Sequence, residues 1–378
     1  MPRFLFPSAA LATAFAAFPA MADVPNVVTD IAPVHSLVAT VMGELGAPEL
    51  LVDPGSSPHS YALRPSQARA LDKADLVVWI GEPLTPWLHD PLETLAGSAA
   101  QLELLEADGT IQYAFREEVV FAHSDDAEEH EDHADHDHDD HDDHDDHDDH
   151  AEHDEEEHGH AEKHDEHDHD GDGHQDHAAE DHEDHHDAHD DDHADEQDHG
   201  HDHAHDHDGL DPHAWLDPEN GRIWLGLIAE QLATLDPENA ATYRANAAAG
   251  QDQLAGMIGS LEAKLEPLEG KPFVVFHDAY QYFETRFHLR AVGAIRLSDA
   301  SDPSPARIAE IQEAVAQSGV VCAFSEPQYN PRLIQTVFAG TQAKTAEIDP
   351  IGLKLAPGAT LYPALIEALA NEVVSCLD

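Results

Sequence analysis

Asp236-Pro237-Glu238-Asn239-Ala240-Ala241-Thr242-Tyr243-Arg244 opens the stretch that decides the architecture, and the run it starts extends to Leu268. Asp can cap a helix, Pro suits the first helical position, and Glu places negative charge in the first turn. The rest of the run is rich in Ala, Gln, Glu and Leu, so a helix is expected over 237–268. At 1.5 Å per residue it would be about 45 Å long, enough to cross from one folded unit to another. Just upstream, Asp217-Pro218-Glu219 repeats the start signal for a helix reaching about residue 235.

Outward from this pair, short β-branched runs alternate with amphipathic segments. Upstream, strands are expected at 26–31, 49–52, 75–80 and 101–105, with helices at 34–45, 65–74 and 86–95. Downstream, strands are expected at 272–276, 290–297, 319–325 and 343–348, with helices at 279–287, 303–317, 331–340 and 360–376. Alternation at this spacing implies mostly parallel sheets. The expected fold class is α/β, with two lobes joined by one long helix.

Residues 123–208 interrupt the first lobe. They hold 27 of the 33 histidines and 42 of the 79 acidic residues, with Lys163 as their only basic residue. Such a segment cannot bury enough apolar surface to offset its ordering entropy, so disorder is expected. A solvated acidic spacer needs no histidines. Imidazole and carboxylate together are ligands for Zn²⁺ and its borderline neighbours. His136, His138, His141, His144, His147, His201, His203, His205 and His207 stand for the auxiliary metal-binding positions of this tract. The domain plan is therefore a leader at 1–22, a first lobe over 23–122 completed by 209–236, the tract at 123–208, the linking helix at 237–269, and a second lobe at 270–378.

The formal net charge is −62, and −21 remains without the tract. That balance argues against nucleic acid or an anionic membrane surface as partner. The leader reading rests on Arg3, an apolar core at 4–18 broken by Pro7, and the small-x-small site Ala20-Met21-Ala22. The core is too short and too broken to anchor as a spanning helix, so an exported, soluble chain without membrane insertion is expected, as a monomer. Cys322 and Cys376 are the only cysteines. In an oxidising compartment they suggest a disulfide; thiolate metal ligands are the alternative.

Outside the tract lie His35, His59, His89, His213, His277 and His288. His59 follows Pro58 in a loop after a strand. His213 sits in Asp211-Pro212-His213-Ala214-Trp215 before a capped helix, and His277 ends a strand. These are the places where an α/β sheet presents ligands. Three neutral imidazoles supply three corners of a tetrahedral Zn²⁺ site, leaving water or a carboxylate for the fourth. Asp349 is the carboxylate candidate, and a turn-forming role before Pro350 is its alternative. Asp278 and Glu326 are candidates for fixing an imidazole tautomer from behind. Three histidines plus water is also a catalytic arrangement, but no His-Glu-x-x-His motif or other base-plus-oxyanion pattern is readable, so no enzyme is expected.

Taken as a set, Gly55-Ser56-Ser57-Pro58-His59-Ser60-Tyr61-Ala62-Leu63-Arg64-Pro65, Asp211-Pro212-His213-Ala214-Trp215-Leu216, Phe276-His277-Asp278-Ala279-Tyr280, Glu326-Pro327-Gln328 and Asp349-Pro350-Ile351-Gly352 resemble the zinc-binding periplasmic proteins of high-affinity zinc ABC transporters. That group belongs to the metal-binding substrate-binding proteins with a rigid linking helix. The resemblance covers essentially the whole chain after the leader. It implies His59, His213 and His277 as zinc ligands, a His- and acid-rich loop at 123–208, a Cys322–Cys376 disulfide, Zn²⁺ as transported ligand and an ABC permease as partner. Some members carry Glu just before the first ligand histidine where this chain has Pro58, which leaves water or Asp349 for the fourth position. Manganese-binding relatives place a carboxylate where His277 stands; an imidazole there favours zinc. A periplasmic zinc buffer without a transporter shares every ligand and differs only in partner.

Overall fold

The computed structural model describes residues 24–116, 120, 209–296, 304–330 and 332–378. The leader and the tract, with its auxiliary histidines, lie outside the described residues.

Strands β1 (Val27–Thr29), β2 (Glu49–Leu50), β3 (Leu76–Trp79) and β4 (Ala100–Glu103) pair in parallel in the order β2-β1-β3-β4. Strands β5 (Phe273–His277), β6 (Ala291–Arg296), β7 (Cys322–Ser325) and β8 (Lys344–Glu347) form a second parallel sheet in the order β6-β5-β7-β8. Every residue of β1, β3 and β5 is buried, because helices cover both faces of an interior parallel strand. In each sheet the chain turns to one side after the first strand and to the other after the second. The carboxyl ends of the first and third strands therefore border a crevice, the usual place for a ligand in such sheets.

The helices are α1 (Ala32–Met42), α2 (Pro65–Asp72), α3 (His89–Leu95), α4 (Pro218–Leu235), α5 (Ala240–Leu265), α6 (Gln281–Arg286), α7 (Pro305–Ser318), α8 (Arg332–Val337) and α9 (Leu361–Leu377). The long helix starts three residues later than expected. Asp236 accepts from the Asn239 backbone N–H at 3.3 Å and from the Tyr243 hydroxyl at 2.9 Å, so Pro237 and Glu238 form a lead-in turn. Its 26 residues span about 39 Å.

Tyr243, Ala247, Gly250, Leu254, Leu261 and Leu265 make its buried stripe. It packs against α1, α4 and α9. Gly250 lets α5 approach closely: a Cβ there would stand 2.9 Å from Leu225 on α4. One apolar cluster runs from β1 and α1 through α4 and α5 to β5, β7 and α9. The two sheets thus belong to a single compact unit. Polar links strengthen the join: the Tyr362 backbone N–H donates to Ser36 Oγ at 2.9 Å, and the Thr40 hydroxyl donates to the Ala359 carbonyl at 3.2 Å. Cys322 and Cys376 are disulfide-bonded, fastening β7 to the end of α9.

Candidate metal centre

His59 lies in the loop after β2, and that loop is held from several sides. The Trp87 indole N–H donates to the Pro58 carbonyl at 2.7 Å, Tyr61 donates to Asp53 at 2.5 Å, and Gln67 donates to the Tyr61 hydroxyl at 2.9 Å. Gly55 takes φ +88°, and a Cβ there would meet Leu353 of the second-lobe loop at 3.2 Å. Only glycine meets both demands without strain.

His213 precedes a 3₁₀ turn and then α4, whose first turn is capped by Asp217 accepting from the Glu219 N–H at 2.9 Å. Its Nδ1 is 2.7 Å from Asp211 Oδ1, which also accepts the His213 backbone N–H at 3.0 Å. His277 is the last residue of β5, and its Nδ1 is 2.6 Å from Glu326 Oε1, just beyond β7. Gln328 in turn donates to the other Glu326 oxygen at 2.7 Å.

These three histidines, from segments far apart in the chain, come together. Ring centroids are 5.5 Å apart for His59 and His213, and 5.3 Å apart for His213 and His277. His213 and His277 are buried, and the rings of Trp215, Tyr280 and Tyr329 lie against them. A carboxylate facing Nδ1 holds the proton on that nitrogen in the neutral ring and so fixes the tautomer of His213 and of His277. Among the described residues no group of three or more His, Cys, Asp or Glu side chains is arranged to hold a metal ion. The fold supplies proximity and, for two of the rings, the tautomer.

Glu326 thus stands in the place of a tautomer-fixing carboxylate, as its motif suggests. Asp278 does not. Its carboxylate takes both oxygens to the Arg116 guanidinium, with Nε 3.0 Å from each. Asp278 lies in the bend just after β5, and the guanidinium of Arg116 takes its carboxylate. The carboxylate on His213 is Asp211 instead. Asp211 lies in the same motif as His213, two residues before the imidazole, and that spacing was the available signal. Arg116 had none, because its partners are 162 and 168 residues downstream. Burial pushes Asp211 and Asp278 up to about 7, against the lowering pull of the His213 N–H on the first and of Arg116 on the second.

Asp349 is placed as a turn former. It accepts from the backbone N–H groups of Ile351 at 3.3 Å, Gly352 at 2.9 Å and Lys354 at 3.3 Å. The next carbonyl, of Pro350, accepts the Trp215 indole N–H at 2.8 Å, which ties this loop to the segment that carries His213. The other histidines have separate roles. His35 Nε2 donates to the Pro48 carbonyl at 3.1 Å, and burial lowers its pKa. His89 sits half exposed near Glu93, and His288 takes a left-handed φ of 53°.

Among known proteins, the family model described as "Zinc-uptake complex component A periplasmic" matches residues 27–376. The chain is 44% identical to a high-affinity zinc uptake system protein ZnuA of Paracoccus denitrificans, covering 100% of this chain and 98% of that relative. It is 40% identical to the protein of the same name in Brucella suis, over 99% and 98%. A crystal structure of ZnuA superposes with a TM-score of 0.63 at 18% identity, covering 94% of this chain and all of that one, which is a likeness of fold. This chain belongs to the family of periplasmic component A proteins of zinc-uptake complexes.

Proposed function

We propose that this protein captures Zn²⁺ between its two lobes and delivers it to a membrane ABC permease, acting as a binding protein and not as an enzyme. The observation that carries the reading is the gathering of His59, His213 and His277, two of them with Nδ1 held by a buried carboxylate. Neutral imidazoles suit Zn²⁺, whereas Mn²⁺ and Mg²⁺ prefer oxygen. Water or Asp349 completes the sphere, the latter by giving up part of its turn. Ligands from both lobes make the ion a bridge, so its presence biases interlobe geometry and signals occupancy to the permease. The continuous core limits that change to a small adjustment of loops around the site.

Export to the periplasm fits the family and the leader reading; among the described residues no helix is long and apolar enough to cross a membrane. The tract at 123–208 would collect further zinc at weaker sites. Tethering holds those sites at effective concentrations of about mM, which favours transfer without a new encounter. Because imidazoles must be deprotonated to bind, affinity falls as the solution is acidified.

Zinc titration of the mature protein and of a form lacking 124–206 tests the division of labour. One tight site should remain after the deletion while the weak equivalents disappear. Loss of the tight site with the tract would refute the assignment. Cross-linking to a permease in zinc-starved cells separates delivery from simple buffering.

A further inference from the structure

The arms that flank the tract do more than return the chain to the first lobe. The entering arm runs antiparallel to the leaving arm: Ala114 bridges Leu210, the Phe115 N–H donates to the Gly209 carbonyl at 3.1 Å, and the Asp211 N–H donates to the Tyr113 carbonyl at 2.8 Å. Both arms are then fastened to the second lobe. The Tyr282 hydroxyl accepts the Tyr113 N–H at 3.1 Å and donates to the Asp211 carbonyl at 2.8 Å. Arg116 reaches Asp278 and Glu284, its guanidinium standing 3.0 and 3.1 Å from the Glu284 oxygens. Further along, Val120 makes an antiparallel bridge to Gly293 on β6, an edge strand.

We infer that Arg116 is a positioning residue for zinc capture, the pin of a clasp that holds His277 and His213 in one frame; this rests on the zinc-capture reading. Asp278, which the guanidinium grips, is bonded directly to His277. Asp211, whose backbone is tied to Tyr113 on the arm that carries Arg116, has its carboxylate on His213 Nδ1. The Asp278 and Glu284 side chains are only 2% and 5% exposed. A surface ion pair could open freely, but two buried carboxylates cannot release the cation between them without being left uncompensated. The fork of guanidinium donors serves both acids at once, which a lysine ammonium cannot match. The clasp therefore holds the two imidazoles close to one another, which favours retention of an ion they share.

The test uses the mature full-length chain with R116K, which keeps the charge and loses the fork, and with R116M/D278N/E284Q, which removes the buried charges together. Stopped-flow chelation gives the zinc off-rate of the tight site, stopped-flow mixing gives the on-rate, and thermal melting of the zinc-free protein reports the fold. The expected result is an off-rate raised about tenfold in both variants, the lower end of what groups behind metal ligands contribute. The on-rate should stay within about twofold, including in the triple variant when its melting matches the parent. Off-rates equal to the parent's in R116K, or in a triple variant that melts like the parent, overturn the inference and leave Arg116 a purely structural residue. H277A is measured alongside. If it keeps the tight site, the zinc-capture reading itself fails. If it loses the site while the Arg116 variants release zinc normally, only the clasp fails.

Discussion

The two lobes share one strand order and use the same topological point for different ends. In the first lobe, the end of β1 carries Asp30, fully buried, accepting from the Ile31 N–H at 2.7 Å and the Ile80 N–H at 2.8 Å. That carboxylate ties the end of the first strand to the backbone after the third. In the second lobe, the end of β5 carries His277, and a carboxylate after the third strand, Glu326, reaches back to its Nδ1. The direction of the contact is reversed, and an imidazole edge is left facing the other lobe. The first lobe's two candidate histidines come from elsewhere, His59 from the loop after β2 and His213 from the segment before α4. A shared topology thus offers a site without dictating its chemistry; one side chain at the strand end makes that choice.

The largest effect expected from this contrast is at the imidazoles. His277→Ala should weaken tight zinc binding by more than about 100-fold, beyond the range typical of groups behind a ligand, as read by competition with a chelator of known affinity. Retained affinity would mean the strand-end imidazole is not the working difference between the lobes. Next come the carboxylates behind the rings. Glu326→Gln and Asp211→Asn should each cost about 10- to 100-fold in affinity, with melting of the zinc-free protein changed much less.

The disulfide lies in the second lobe alone. Cys376→Ser should lower stability by about 2–4 kcal/mol on the chain-entropy account, measured by urea unfolding. Since the core is continuous between lobes, the loss should appear as one shifted transition. Two separated transitions would break the picture of a shared core.

The smallest effect is a slope with pH. Burial raises Asp30 to about 7 in the folded protein, against an ordinary value of 3.8. Between those values the folded state holds a proton that the unfolded state has lost. Its contribution to stability is greatest below the unfolded value and falls as pH rises toward 7. Asp30→Asn should flatten that part of the stability profile, and an unchanged slope would assign it to Asp211 and Asp278, whose shifts have the same sign.

Much of this was legible without coordinates. Buried parallel strands read as short apolar runs, so β1, β3, β5 and β7 fall largely inside the expected segments, and the Asp-Pro-Glu starts mark α4 closely. The three site histidines stood out because each follows a strand or precedes a capped helix. Asp278 differs from the expectation because adjacency to His277 in sequence does not choose a side chain's partner, and Arg116, 162 residues upstream, takes its carboxylate.

Local order came from the amino-acid pattern: strand periods, helix starts and the residue types able to bind zinc are all properties of short windows. Convergence did not. That His59, His213 and His277 become neighbours, that Asp211 backs one ring and Glu326 another, and that Arg116 pins the arms beside the tract are contacts that depend on chain segments far apart. They rest on how two sheets pack through one core, because a side chain's partner is chosen by distance and direction in space.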